Sequence, residues 1–379
     1  KENKSEALVD VVAKKNSRFR NDLEKFKTEM ELLYERSPKN DYIRIGVIDL
    51  QDTSKNRSNI YKYVKNKLTD NTNFSSKFEE FISSIADLNV IKLLESTKKF
   101  NNLDDIINTI NTYQKFEDYL SFNQNSIFLK FILDTLRVYS NTFGINEEYF
   151  DQNLSEPHIA AILYTPMFFS LFRSKEFNTE ICKEHLANKY CRNIDNDSRT
   201  KLGLVPDIKI KYKRKSIETL CVEHAKKIAL LDLPKSKRDY TKLQLLLHNQ
   251  IHLVSEILSK KNKLNEIYKF KSFGIRTSGL ELKSYVMYLK HPQLYIFEEI
   301  FSTNLPTNIY NYHDIYDTLV YLMLLRDAVD KNHKILLDVL SNKNNHKNNT
   351  LVEDWVVDFE VTSPLQEKEG NQEKKSKKN

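Results

Sequence analysis

A chain of 379 residues is long enough for two or three domains, and 29% charged against 40% hydrophobic residues is an ordinary globular balance. No apolar run approaches the roughly 20 residues of a membrane-spanning helix and no signal peptide is visible, so the expectation is an intracellular protein, nuclear or cytoplasmic, with no membrane partner. The net charge of +7 permits DNA or RNA as a polyanionic partner, whereas the six glycines form no nucleotide-cradling loop and no nucleophile elbow.

In chain order, residues 1–40 carry mixed charge with apolar residues at helical spacing, and 42–50 alternates as a short strand would. Helical periodicity resumes from about 59 to 143, broken by Asn- and Asp-rich segments. Ser155 is the predicted N-cap of a helix that runs to Phe172; its apolar stretch contains Pro166 and reads as a buried helix. Strand-like runs follow at 204–212, 218–225, 270–277, 282–289 and 294–301, with a helix over 239–259 and a last helix over 312–340. The prediction is an α/β protein (α+β overall): a helical N-terminal region at 1–150, a mixed sheet flanked by helices at 151–345, and a C-terminal extension at 346–379. The Glu/Lys/Gln-rich stretch from about 362 has the composition of a disordered tail, and its closing EKKSKKN reads as solvated rather than as an import signal.

Three cysteines without framework spacing argue against a secreted disulfide scaffold, and Cys182, His185 and Cys191 lack a standard zinc spacing.

The chemistry centres on Pro206-Asp207, which opens the strand DIKIKYK. Ile208, Ile210 and Tyr212 share one face of it, while Asp207, Lys209, Lys211 and Lys213 share the other. About fifteen residues on, Cys221, Glu223 and Ala225 share a face of ETLCVEHAKK. Two carboxylates on adjacent strands, Asp207 and Glu223, could hold one Mg2+ (or Mn2+) with a phosphate oxygen and waters, and a nearby lysine would orient the attacking water. The basic run Lys209, Lys211, Lys213, Arg214 and Lys215 reads either as phosphate contacts or as the charged tip that protects an exposed hairpin. His224 points to the Leu220 and Val222 side and reads as a core histidine.

With these residues, the order Glu156, Pro206-Asp207, Glu223-x-x-Lys226 resembles the PD-(D/E)XK nuclease superfamily, whose core runs α-β-β-β-α-β. The blocks LSEPHIAAILYTPMFFSLF, LGLVPDIKI, ETLCVEHAKK, RDYTKLQLLL, FGIRTSGLELKSYVMYL and LYIFEEI are similar to a family of largely uncharacterised fungal proteins with a degenerate core of this type. The resemblance covers about residues 154–306. It implies a magnesium-dependent nuclease with Asp207 and Glu223 as metal ligands and Glu156 as a helix-borne acid. The superfamily lysine would fall at position 225, which is alanine. Lys226 reaches the site only if the strand bulges; Lys227 has the right parity but lies further along; Lys242 would reach in from the following helix. The alternatives are a catalytically degenerate module that binds nucleic acid or protein without cleavage, and an interaction protein whose helical half is the working part.

Overall fold

A computed structural model describes residues 47–51, 77–118, 121–152, 154–183, 204–213, 217–225, 233–291 and 294–341. The chain divides into two compact units, Lys1–Asp70 with Val357–Asn379, and Asn71–Val356. In the first unit the described part is a short strand, β1 (Val47–Asp49), inside the predicted 42–50 segment. The expected helices of residues 1–40 and the tail from 362 lie outside the described residues.

The second unit starts with four helices: α1 (Phe78–Ser84), α2 (Leu88–Thr97), α3 (Leu103–Tyr113) and α4 (Gln124–Ile145). The Asn and Asp breaks between them are N-caps. Asp87 accepts from the backbone N–H of Asn89, Asn102 from that of Asp105, and Asn123 from that of Ser126. Each such cap is worth about 1 kcal/mol. These helices share a core with the sheet layer. Tyr139 of α4 packs against Phe143, Phe150 and Tyr312, and Ser170 donates to Asp134 Oδ2 at 2.7 Å. The change of sequence texture near residue 150 therefore falls inside one compact unit.

The next helix has three parts: α5 (Glu156–Ile159), a π-helical turn (Ala160–Tyr164) and α6 (Thr165–Leu171). Pro166 has no N–H and its ring crowds the preceding turn, and the widened turn lies directly upstream of it. Ser155 takes the N-cap position, but its side chain makes no capping hydrogen bond.

Six strands of this unit lie in the order β7-β6-β5-β4-β3-β2. They are β2 (Phe177–Ile181), β3 (Ile208–Tyr212), β4 (Ile217–Ala225), β5 (Lys271–Ser278), β6 (Glu281–His291) and β7 (Leu294–Asn304). All neighbours are antiparallel except β4 and β5. A parallel pair needs a long crossover, and here that is α7 (Leu233–Ser259). One face of the sheet meets α7. There Gln250 bonds Cys221 and Ser272, and a Cβ on Gly274 would lie only 2.9 Å from Leu243 Cδ1, so glycine lets helix and strand approach. The other face meets α8 (Ile315–Ser341), whose His333 ring lies 3.5 Å from that of Tyr212. No helix among the described residues is long and apolar enough to cross a membrane.

Two buried histidines make acid stability a test of this packing. Burial lowers His333 from its ordinary 6.5 to about 4; it lowers His248 likewise to about 4, with the nearby His252 charge adding to the effect. The unfolded chain then binds more protons than the native chain between pH 6.5 and 4. Their contribution is complete above 6.5 and is lost as pH falls through that window. Each is worth about 3 kcal/mol when fully expressed. Thermal unfolding should show Tm falling from pH 6.5 to 4, with a shallower slope in His333→Phe. An identical slope in the variant would mean that His333 is not held neutral.

Candidate active site at the end of strand β4

Asp207 sits one residue before β3. In the antiparallel register Ile208 lies opposite Val222, so one further step sets Asp207 opposite Glu223, on the same side of the sheet. The Asp207 Oδ2 atom accepts from the backbone N–H of His224 at 2.6 Å. The strand-opening Pro206-Asp207 pair thus anchors one carboxylate oxygen to the neighbouring strand's backbone.

Glu223 is 1% exposed on the α7 side. Its Oε2 accepts from Lys242 Nζ at 2.7 Å, while its Oε1 is buried with no hydrogen-bond partner. Burial pushes the carboxyl up to about 8; Lys242 opposes that shift, and the nearby Asp207 and Asp239 charges reinforce it. Asp239 is buried one turn before Lys242 on α7. The end of β4 and the first turns of α7 therefore gather three acids and one ammonium.

The next residue faces the other way. His224 is stacked on Tyr164 at 5.4 Å between ring centres, and its Nδ1 lies 2.8 Å from Thr277 Oγ1. Burial lowers its pKa, with Asp207 and Glu156 pulling it back up. Glu156 lines a small pocket with His224, Tyr164 and Thr277 on this side. Of the three expected acids, Asp207 and Glu223 take facing register positions, and Glu156 lies beside the end of β4, in a pocket it shares with His224 and Ala225. Among the described residues no group of three or more His, Cys, Asp or Glu could hold a metal ion.

Of the candidate lysines, Lys242 reaches Glu223. Lys226 and Lys227 lie outside the described residues, and Ala225 is buried at the place the resemblance reserves for a lysine. The basic run also differs from expectation. Strand β3 is not an edge strand, because β2 pairs with its outer side. Lys209 is 2% exposed and bonds Glu218 at 2.8 Å and Glu180 at 3.5 Å; Lys211 bonds Glu180 at 2.6 Å. Lys209 is thus an internal counter-ion, and Lys211 is a partly exposed partner of Glu180. Lys213 is exposed and donates to Ser174 O at 3.3 Å. Arg214 and Lys215 lie outside the described residues. Cys182 is an exposed free thiol and Cys221 a buried one, while His185 and Cys191 lie outside the described residues.

Two cations extend the row. Arg276 is the register partner of Glu223 on β5, and Lys283 that of Arg276 on β6. The Arg276 guanidinium lies 5.7 Å from the centre of the Tyr240 ring on α7. Their signal in the sequence is parity: Arg276 falls two residues from Gly274, which packs under α7. No family model, curated protein or solved structure matches the chain.

Proposed function

We propose that the chain is a PD-(D/E)XK-like protein that hydrolyses phosphodiester bonds of DNA or RNA with Mg2+ or Mn2+. Asp207 and Glu223 would be the metal ligands and Lys242 the lysine. The observation that carries this reading is the acid–acid–lysine set on one face: Lys242 Nζ at 2.7 Å from Glu223, with Asp207 in the facing register position. The element order supports it, since the helix at 156–171, then β2, β3, β4, α7 and β5 run α-β-β-β-α-β.

The donors suit a hard cation. Both are carboxylates, and Glu223 Oε1 is a buried oxygen without a partner. A bound Mg2+ would polarise a phosphoryl oxygen and acidify a bound water. Lys242 would place positive charge beside the charge that develops on the phosphoryl oxygens. Arg276 and Lys283, further along the same row, would hold the neighbouring phosphates.

A second reading has its own observations. Ala225 in the lysine position favours a descendant that binds nucleic acid or protein without cutting it. Labelled DNA and RNA incubated with Mg2+ or Mn2+, beside an Asp207→Ala control, separate the two. The expected result is cleavage by the parent chain and none by the variant. Equal cleavage by both would mark a contaminant and defeat the assignment. Salt-dependent binding without cleavage would establish the second reading.

A further inference from the structure

The end of β3 opposite Asp207 carries a group of cations that the phosphodiester site does not use. Lys209 and Lys211 face carboxylates, which leaves Lys213 as the exposed lysine of the described basic run. Its Nζ donates to Ser174 O at 3.3 Å, and its backbone N–H donates to Glu176 O at 2.8 Å. The strand end is thus tied to the turn between α6 and β2. That turn supplies two more cations. The Arg173 guanidinium and the Lys175 ammonium lie 5.5 and 5.6 Å from the centre of one ring, that of Phe122.

Like charges move apart unless something holds them. Here the face of Phe122 holds two, each contact being worth about 0.5–1 kcal/mol at an exposed site, and a backbone carbonyl holds the third. Lys175 and Lys213 form no ion pair among the described residues. The neighbouring acid, Glu176, acts with its charge on Arg326 and Asp330 of α8. An aromatic ring flanked by cations suits a nucleic-acid strand, whose phosphates meet the cations and whose bases stack on the ring.

We propose that this turn is a second contact surface for nucleic acid, where Arg173, Lys175 and Lys213 take backbone phosphates remote from the Asp207 end. Asp207 and Lys213 stand at the two ends of β3, roughly 20 Å apart on an extended strand, which is about six base pairs of duplex. A nucleic acid longer than that is held at two points. The inference rests on the reading of the chain as a nucleic-acid protein, in its cutting or its non-cutting form.

The test uses the full chain carrying Asp207→Ala, so that the probes stay uncut, with duplex DNA and duplex RNA several times longer than that span. Affinity is followed against salt by fluorescence anisotropy. Lys175→Gln with Lys213→Gln should lower the slope of log affinity against log salt by about 2, at roughly 0.9 per lost phosphate contact, and weaken binding about tenfold or more at physiological salt. Both lysines are exposed, so the fold is not at risk, and the half-buried Arg173 is left in place. Lys92→Gln with Lys99→Gln, at α2, removes the same charge and should leave the slope nearly unchanged. The duplex bound more tightly identifies the nucleic acid. Equal slopes in the two double variants would overturn the proposal and leave the Asp207 and Glu223 site standing. Binding of neither duplex would overturn it as well, and the cleavage assay reports separately on the reading beneath it.

Discussion

Lys242→Ala is expected to lower metal-dependent cleavage by about 10²–10³-fold while leaving the affinity for uncut nucleic acid nearly unchanged, because a charge aimed at the reacting centre acts on the transition state more than on the bound strand. The split is the informative part, and single-turnover cleavage beside salt-dependent binding measures it. Lys242 makes its described ion pair with Glu223 and lies on the same face as Asp207. Lys283→Ala, two strands away in the same row, should do the reverse, weakening binding and sparing the cleavage step. Removing Lys242 also removes the first influence that opposes the rise of the Glu223 carboxyl, so the variant should need more Mg2+ at neutral pH. A Lys242→Ala chain that cuts at the parent rate would exclude this lysine from the chemistry.

The largest effect on stability is expected at Lys209. Lys209→Met should cost about 3–5 kcal/mol in urea unfolding, the usual consequence of stranding a buried charge whose partner is gone. Glu218 is 1% exposed and Glu180 is 8% exposed, so neither carboxylate can recover full hydration once the ammonium leaves. Burial alone would push Glu180 up, yet Lys211, Lys209 and Lys183 together hold it below the ordinary carboxylate range. The double change Lys209→Met with Glu218→Gln should recover part of the loss. A single-variant cost below about 1 kcal/mol would mean that water reaches the pair as it does at a surface. The pair also bears on the site. Lys209 is two residues from Asp207, and a slip of β3 by one residue would drive the ammonium into the face that holds Ile208, Ile210 and Tyr212. The network therefore fixes the register that brings Asp207 opposite Glu223.

Why the sequence spoke clearly in some places and not in others follows from these residues. Strands β4 to β7 and helices α4, α7 and α8 carry long apolar patterns, and their approximate positions are legible from period alone. Strand β2 is five residues with one large apolar anchor, Phe177, and its inward-facing member is Glu180. An acid that is buried only because lysines await it looks like a surface residue, and those lysines look like surface residues too. The ion network thus hid both the strand and its own burial. Parity on β4 separated Glu223 from His224, because the period of a strand is fixed. It did not place Glu156, which comes from a separate helix and meets the end of β4 through the pocket it shares with His224. The lysine was ambiguous for the same reason: Lys242 lies nineteen residues from Glu223 and is brought back by α7.

The Glu223–Lys242 contact has one more consequence. A site built from carboxylates alone repels itself until a cation arrives, and where folding depends on that cation its removal unfolds the protein. Here a lysine is already in place: its ammonium hydrogen-bonds the buried acid at the junction of strand and helix. A cation bound as proposed would not assemble the site but would share Glu223 with an ammonium. Its affinity would then be set by competition with that ammonium for one carboxylate, and not by the folding of the site.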